Sequence, residues 1–170
     1  MSTASEALTV AAVLASAGTG AAVDLRTRRV PNALTLTASA LGLTSAAAGA
    51  GEVTLGAAFA GFLLGLAVML PGHLLGGTGG GDVKLMGALG TWVGPALILR
   101  VFLYSAVAGG VLALAVAVHR GRVGDTLRGT ARLVASPRVA KGAVEAADRH
   151  NRFPYAPAIA AGALLVMLGF

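Results

Sequence analysis

Gly79-Gly80-Gly81-Asp82-Val83-Lys84 lies between strongly apolar segments and decides how the chain is read. Three consecutive glycines free the backbone for conformations closed to other residues, and they let another chain approach closely. An acid follows at once, and a new apolar helix begins behind it. An ionisable side chain at the edge of an intramembrane segment is expensive, which marks Asp82 as a functional candidate. The plainer alternative is that Asp82 only caps the helix. What decides between them is whether another residue serves this carboxyl.

The composition says what surrounds the motif. The 170 residues are 56% hydrophobic and only 12% charged, with a mean hydropathy of +0.80. A soluble domain carries about 25% charged residues. The length suits one domain of several helices, 1–170, and the class expected is an all-α polytopic membrane protein. There is no cysteine, which excludes a disulfide framework and a thiolate zinc site. The net charge of +6 raises the question of nucleic acid, but its distribution along the chain argues for membrane topology instead.

Downstream of the motif, residues 83–118 are apolar except for Lys84 and Arg100. That is too long for one span of about 20 residues. Gly94-Pro95 is the natural break, leaving a short fourth helix over 83–93 and a full fifth over 96–118. Residues 119–152 hold eight of the thirteen Lys and Arg. Val123, Leu127, Ala131 and Val134 fall on one helical face there, and Ser136-Pro137 reads as a helix start. One or two helices lying on the membrane surface are expected in this basic loop. The last segment, 153–170, opens with Phe153-Pro154-Tyr155-Ala156-Pro157.

Upstream, Pro71-Gly72-His73 breaks a third segment over 53–70, in which Gly61 and Gly65 have the spacing that lets helices pack closely. Gly49, Gly51 and Glu52 mark a turn before it. A second segment covers 33–50, with Asn32 as its cap and Pro31 closing the loop ahead. That loop, Asp24-Leu25-Arg26-Thr27-Arg28-Arg29, follows an almost uncharged first segment over 7–23. Ala15-Ser16-Ala17 resembles a signal-peptide cleavage site. However, no positive residue precedes the apolar run, Glu6 does, and the basic cluster lies after it, so an uncleaved first helix is expected.

Six spans put the loops at 24–31, 71–84 and 119–152 on one side. These loops hold every Lys and Arg except Arg100. By the positive-inside rule that side is cytoplasmic, in a cytoplasmic (inner) membrane, with both termini outside. Trp92 and Tyr155 suit interfacial anchors. Arg100 pairs or snorkels outward.

Asp24 and Asp82 therefore share the cytoplasmic face, each at a helix end. Two close carboxyls do not both ionise easily: one keeps a proton and the other becomes a base. Such a pair can activate water and protonate a leaving amine. Helix dipoles alone favour Asp24 as proton holder and Asp82 as ionised base, and Lys84 favours the Asp82 carboxylate. Gly79 and Gly81 flank the position where a substrate backbone would reach Asp82. Lys84 is a candidate for biasing the charge or holding substrate, against the plainer role of snorkelling. Arg26, Arg28 and Arg29 fit topology better than substrate contact. His73 alone makes no metal site, and neither a metal nor a cofactor is expected.

Gly79-Gly80-Gly81-Asp82-Val83-Lys84-Leu85-Met86-Gly87-Ala88-Leu89-Gly90 resembles the GxGD motif of the type IV prepilin peptidase family of intramembrane aspartic proteases. Asp24-Leu25-Arg26-Thr27-Arg28-Arg29-Val30-Pro31-Asn32 resembles that family's first catalytic aspartate with its basic, proline-asparagine loop. Phe153-Pro154-Tyr155-Ala156-Pro157 is similar to the proline-rich approach to its last helix. The resemblance covers essentially the whole chain and implies cleavage of the short basic leader of type IV pilin-like precursors at the cytoplasmic face. Longer members carry an N-terminal extension with paired cysteines that accompanies methylation of the new N-terminus. Without it, a methyltransferase activity is not expected, and the compact form resembles the peptidases of tight-adherence pilus systems and of archaeal preflagellins.

Two other classes compete. A small proton- or ion-coupled transporter would use Asp24 and Asp82 as a relay, and a discontinuous fourth helix suits it. Against it, both acids sit near one face and no inverted repeat is visible. A catalytically idle scaffold for pilus assembly needs neither acid. The lipid bilayer is an expected partner and nucleic acid is not; a homo-oligomer is left open.

Overall fold

In lipid a chain must satisfy its backbone polar groups internally, and helix does this within one segment. The computed structural model describes residues 3–75, 77–119 and 155–169, and these form five helices, the first four of them connected by short links. They are α1 (Thr3–Thr27), α2 (Asn32–Ala47), α3 (Leu55–Leu74), α4 (Gly80–His119) and α5 (Ala156–Met167). The expected all-α class is observed. The basic stretch 120–152, expected to hold surface helices, lies outside the described residues.

The first half of α4 is the axis of the fold. Residues 85–94 are buried without interruption, as befits a helix apolar on every side. Leu85, Met86, Leu89 and Thr91 are fully enclosed, and α1, α2, α3 and α5 all contact α4. Glycines permit the closest approach. A methyl group on Gly61 of α3 would collide with the Gly90 carbonyl of α4, and one on Gly65 would lie 2.6 Å from the Met86 carbonyl oxygen. The close packing expected of Gly61 and Gly65 is thus present, with α4 as the partner. Outward, Leu36, Phe59, Leu63, Leu103 and Val107 are exposed. So much open apolar surface suits lipid rather than water.

Among the described residues, three helical stretches are long and apolar enough to cross a membrane: Ala4–Thr27, Leu55–Leu74 and Gly80–Val116. α2, with 16 residues, and α5, with 12, are shorter. The expected break inside α4 is present. Gly94 has φ 74° and ψ −179°, and Pro95 follows it. That backbone region is essentially restricted to glycine, and proline suits the first turn of the segment that resumes. We expect Gly94→Ala to cost about 1–3 kcal/mol of stability through backbone strain. The check is the thermal midpoint of the detergent-solubilised protein, with Gly56→Ala, whose added methyl meets nothing within 4 Å, as the control.

Several boundaries differ from expectation. α1 runs to Thr27, so Asp24 lies in its last turn rather than in a loop. The helix ends at Arg28, which takes a left-handed φ of 54° and whose N–H bonds the Asp24 carbonyl at 2.7 Å. α3 continues through Pro71 to Leu74. A proline in the last turn removes one helical hydrogen bond, while the Leu75 N–H still reaches the Pro71 carbonyl at 3.1 Å. α4 begins at Gly80, earlier than residue 83. Trp92 is not an interfacial anchor: it is buried, and its Nε1–H donates to the Ala38 carbonyl at 3.0 Å. Burial of an indole requires such a partner, and that partner sits inside the bundle.

Candidate active site

Gly79 precedes α4 and Asp82 lies three residues on, where a carboxylate can reach back to the start of its own helix. It does so here, with the Gly79 N–H donating to Asp82 Oδ2 at 3.0 Å. The plain capping role is therefore real, but it occupies one oxygen only. Oδ1 is buried and has no hydrogen-bond partner among the described residues. A cap needs no second oxygen enclosed in this way, and an unsatisfied buried polar atom is costly.

Asp24 comes from the last turn of α1. It is as enclosed as Asp82, each being 5% exposed. The Ala156 N–H, at the start of α5, donates to Asp24 Oδ2 at 3.3 Å. The two carboxylates are close enough to interact electrostatically, and His73 and Tyr155 stand within the same reach of Asp82. Residues 58 positions apart in sequence thus come within electrostatic reach of each other, each held by a backbone N–H at the start of a helix. This arrangement removes the expected dipole asymmetry. Asp24 ends α1, but its carboxylate meets the positive end of α5, as that of Asp82 meets the positive end of α4.

The other expected site residues are placed as follows. Gly79 supplies the N–H to Asp82. Gly81 faces the α1–α2 link rather than open space, because a β-carbon there would lie 2.9 Å from Val30 Cβ and 3.2 Å from the Val30 N and O. Lys84 turns away from Asp82, as positions i and i+2 of a helix do, and its Nζ donates to Asn32 Oδ1 at 2.9 Å. Asn32 thereby spends its side chain on Lys84, and no side chain caps the start of α2. His73 Nδ1 donates to the Thr78 carbonyl at 2.9 Å. On the far side of the α4 first turn, Gly80, Val83 and Lys84 line an apolar groove of about 710 Å³ between α2 and α3.

The sequence reading missed three contributors. Ala156 acts through its backbone and leaves no residue-type signal. Tyr155, read as an anchor, is half-buried beside the acids. Val30 is buried against Gly81; an apolar residue between Arg29 and Pro31 was its only trace.

Fold and site together describe a multi-pass helical membrane protein with two enclosed, electrostatically linked aspartates held at helix ends. The chain belongs to the type IV leader peptidase family, whose match spans residues 9–114 and so contains both aspartates but not α5. No curated protein and no solved structure matches the chain at a significant level.

Proposed function

We propose that the chain is an intramembrane aspartic endopeptidase that removes the basic leader of type IV pilin-like precursors, with Asp24 and Asp82 as its catalytic pair. The observation that carries this reading is that two buried carboxylates lie within electrostatic reach of each other, with Asp82 Oδ1 lacking a hydrogen-bond partner among the described residues. One carboxylate takes a proton from water as the water oxygen attacks the scissile carbonyl carbon. The protonated partner hydrogen-bonds the carbonyl oxygen and then gives its proton to the leaving amine nitrogen as the C–N bond breaks. Family membership supports a peptidase and weighs against the transporter.

The proposed topology has six spans, with α4 counted as two across Gly94 and with α2 and α5 as short spans. Loops 24–31, 71–84 and 119–152 face the cytoplasm from a cytoplasmic membrane. Because the chain has no cysteine, single introduced cysteines report their side directly. We expect Arg29→Cys to be shielded from an impermeant external thiol reagent in intact cells, and Gly51→Cys to be labelled. Labelling of residue 29 from outside would invert the topology.

The activity is tested by co-expression with pilin-like precursors and mass measurement of the product N-terminus. A discrete loss of the basic leader is expected. An intact precursor in every pairing would reject the proposal.

A further inference from the structure

We propose that Lys84 is a positioning residue: its ammonium, donated to Asn32, locks the link that follows the Asp24 turn of α1 onto the first turn of the helix that carries Asp82. This inference rests on the peptidase reading above, which makes the relative placement of the two acids matter.

The geometry concerns how two distant segments are held in register. Asp24 is near the end of α1, and the chain reaches α2 through only four residues, 28–31. Arg28 turns the backbone with its left-handed φ of 54°. Val30, 7% exposed, then sits against Gly81. Asn32, the first residue of α2, meets Lys84. Gly81 and Lys84 are one helical turn apart on α4, and they flank Asp82 in sequence. Val30 on the link and Asn32 at the start of α2 are two residues apart. Two contacts side by side fix both position and rotation of the link, which one contact does not. The Val30–Gly81 contact is non-directional packing, whereas the Lys84–Asn32 bond has a defined length and direction.

A role in tuning the charge of Asp82 is the competing account. Lys84 Nζ is engaged by Asn32 and, two positions on from Asp82 along the helix, points away from it. A role in gripping substrate would require the ammonium to be free for it. Positioning needs only the bond that is seen.

Each account predicts different kinetics. If Lys84 positions, Lys84→Met and Asn32→Ala each lower kcat about three- to tenfold, the range of a single hydrogen bond to a charged or polar partner. KM stays nearly unchanged and so does the pH profile. The double variant is no worse than the poorer single one, because both remove the same bond. Lys84→Arg, which keeps a donor of similar reach, recovers most of the rate. Additive losses, a shifted acidic limb in Lys84→Met, or a raised KM with kcat intact would each overturn the proposal.

A second measurement does not depend on proteolysis. Spin labels on Arg29→Cys and Gly77→Cys in this cysteine-free chain report the spacing of the link from the start of α4. Their distance distribution should broaden in both Lys84→Met and Asn32→Ala. An unchanged distribution in both would overturn the tie even if the peptidase reading stands. A broadened one in a protein that cleaves nothing would keep the tie and reject that reading.

Discussion

Asp24→Asn and Asp82→Asn should each reduce precursor cleavage by about a thousandfold or more while leaving the protein folded in the membrane. Asparagine has almost the shape of aspartate but cannot take or give the proton the reaction needs, and acid–base groups contribute about 10²–10⁴ each. The structural roles survive the change. An amide oxygen can still accept from the Ala156 N–H at position 24 or from the Gly79 N–H at position 82. The measurement is the mass of the precursor N-terminus after co-expression, beside the thermal midpoint of the solubilised variant. Cleavage at the normal rate by either variant would remove that residue from the mechanism. A large fall in midpoint together with lost cleavage would show that the carboxylate holds the fold instead. A scaffold would be indifferent to both substitutions.

How much of this was legible in the sequence follows from which forces are local. The helices and the break at Gly94-Pro95 were legible, because apolarity, glycine and proline act within a few residues. That Asp24 and Asp82 stand at helix ends was legible as well, since an acid next to an apolar run stands out without knowledge of its neighbours; that both are enclosed was not. What was not legible depends on three-dimensional direction. Lys84 is two residues from Asp82, and in a linear reading the two look like partners; on a helix they diverge, and Lys84 finds Asn32 across 52 positions. The dipole argument failed for the same reason. It placed Asp24 by the helix it belongs to, whereas its carboxylate is held by the N-terminus of another helix, through an amide that has no side-chain signature. Pro71 shows the converse, a local signal that overstates itself: near the end of α3 a proline costs one bond and the helix continues past it.

Gly81→Val should lower cleavage by at least about a hundredfold. A displacement of about 1 Å between catalytic groups is enough for such a loss. Close approach of a substrate backbone was the expected reason for glycine here, but the space beside Gly81 belongs to the chain itself. Its missing side chain would lie 2.9 Å from Val30 Cβ and 3.2 Å from the Val30 backbone. A β-carbon and a backbone cannot swing aside as the end of a long side chain can, so the link must move, and Asp24 moves with it. Gly81→Ala imposes the same β-carbon without the branches and should lose less. Gly77→Ala should be close to normal, because its methyl would meet only the Gly72 carbonyl oxygen at 3.4 Å. Pairing Gly81→Ala with Val30→Gly removes one of the two clashing β-carbons and should restore part of the activity. The spin-label spacing between positions 29 and 77 should lengthen in Gly81→Val and return toward normal in the pair. Loss of cleavage in Gly81→Val with that spacing unchanged would show that the glycine serves the substrate after all, and normal cleavage would show that the link does not set the distance between the two acids.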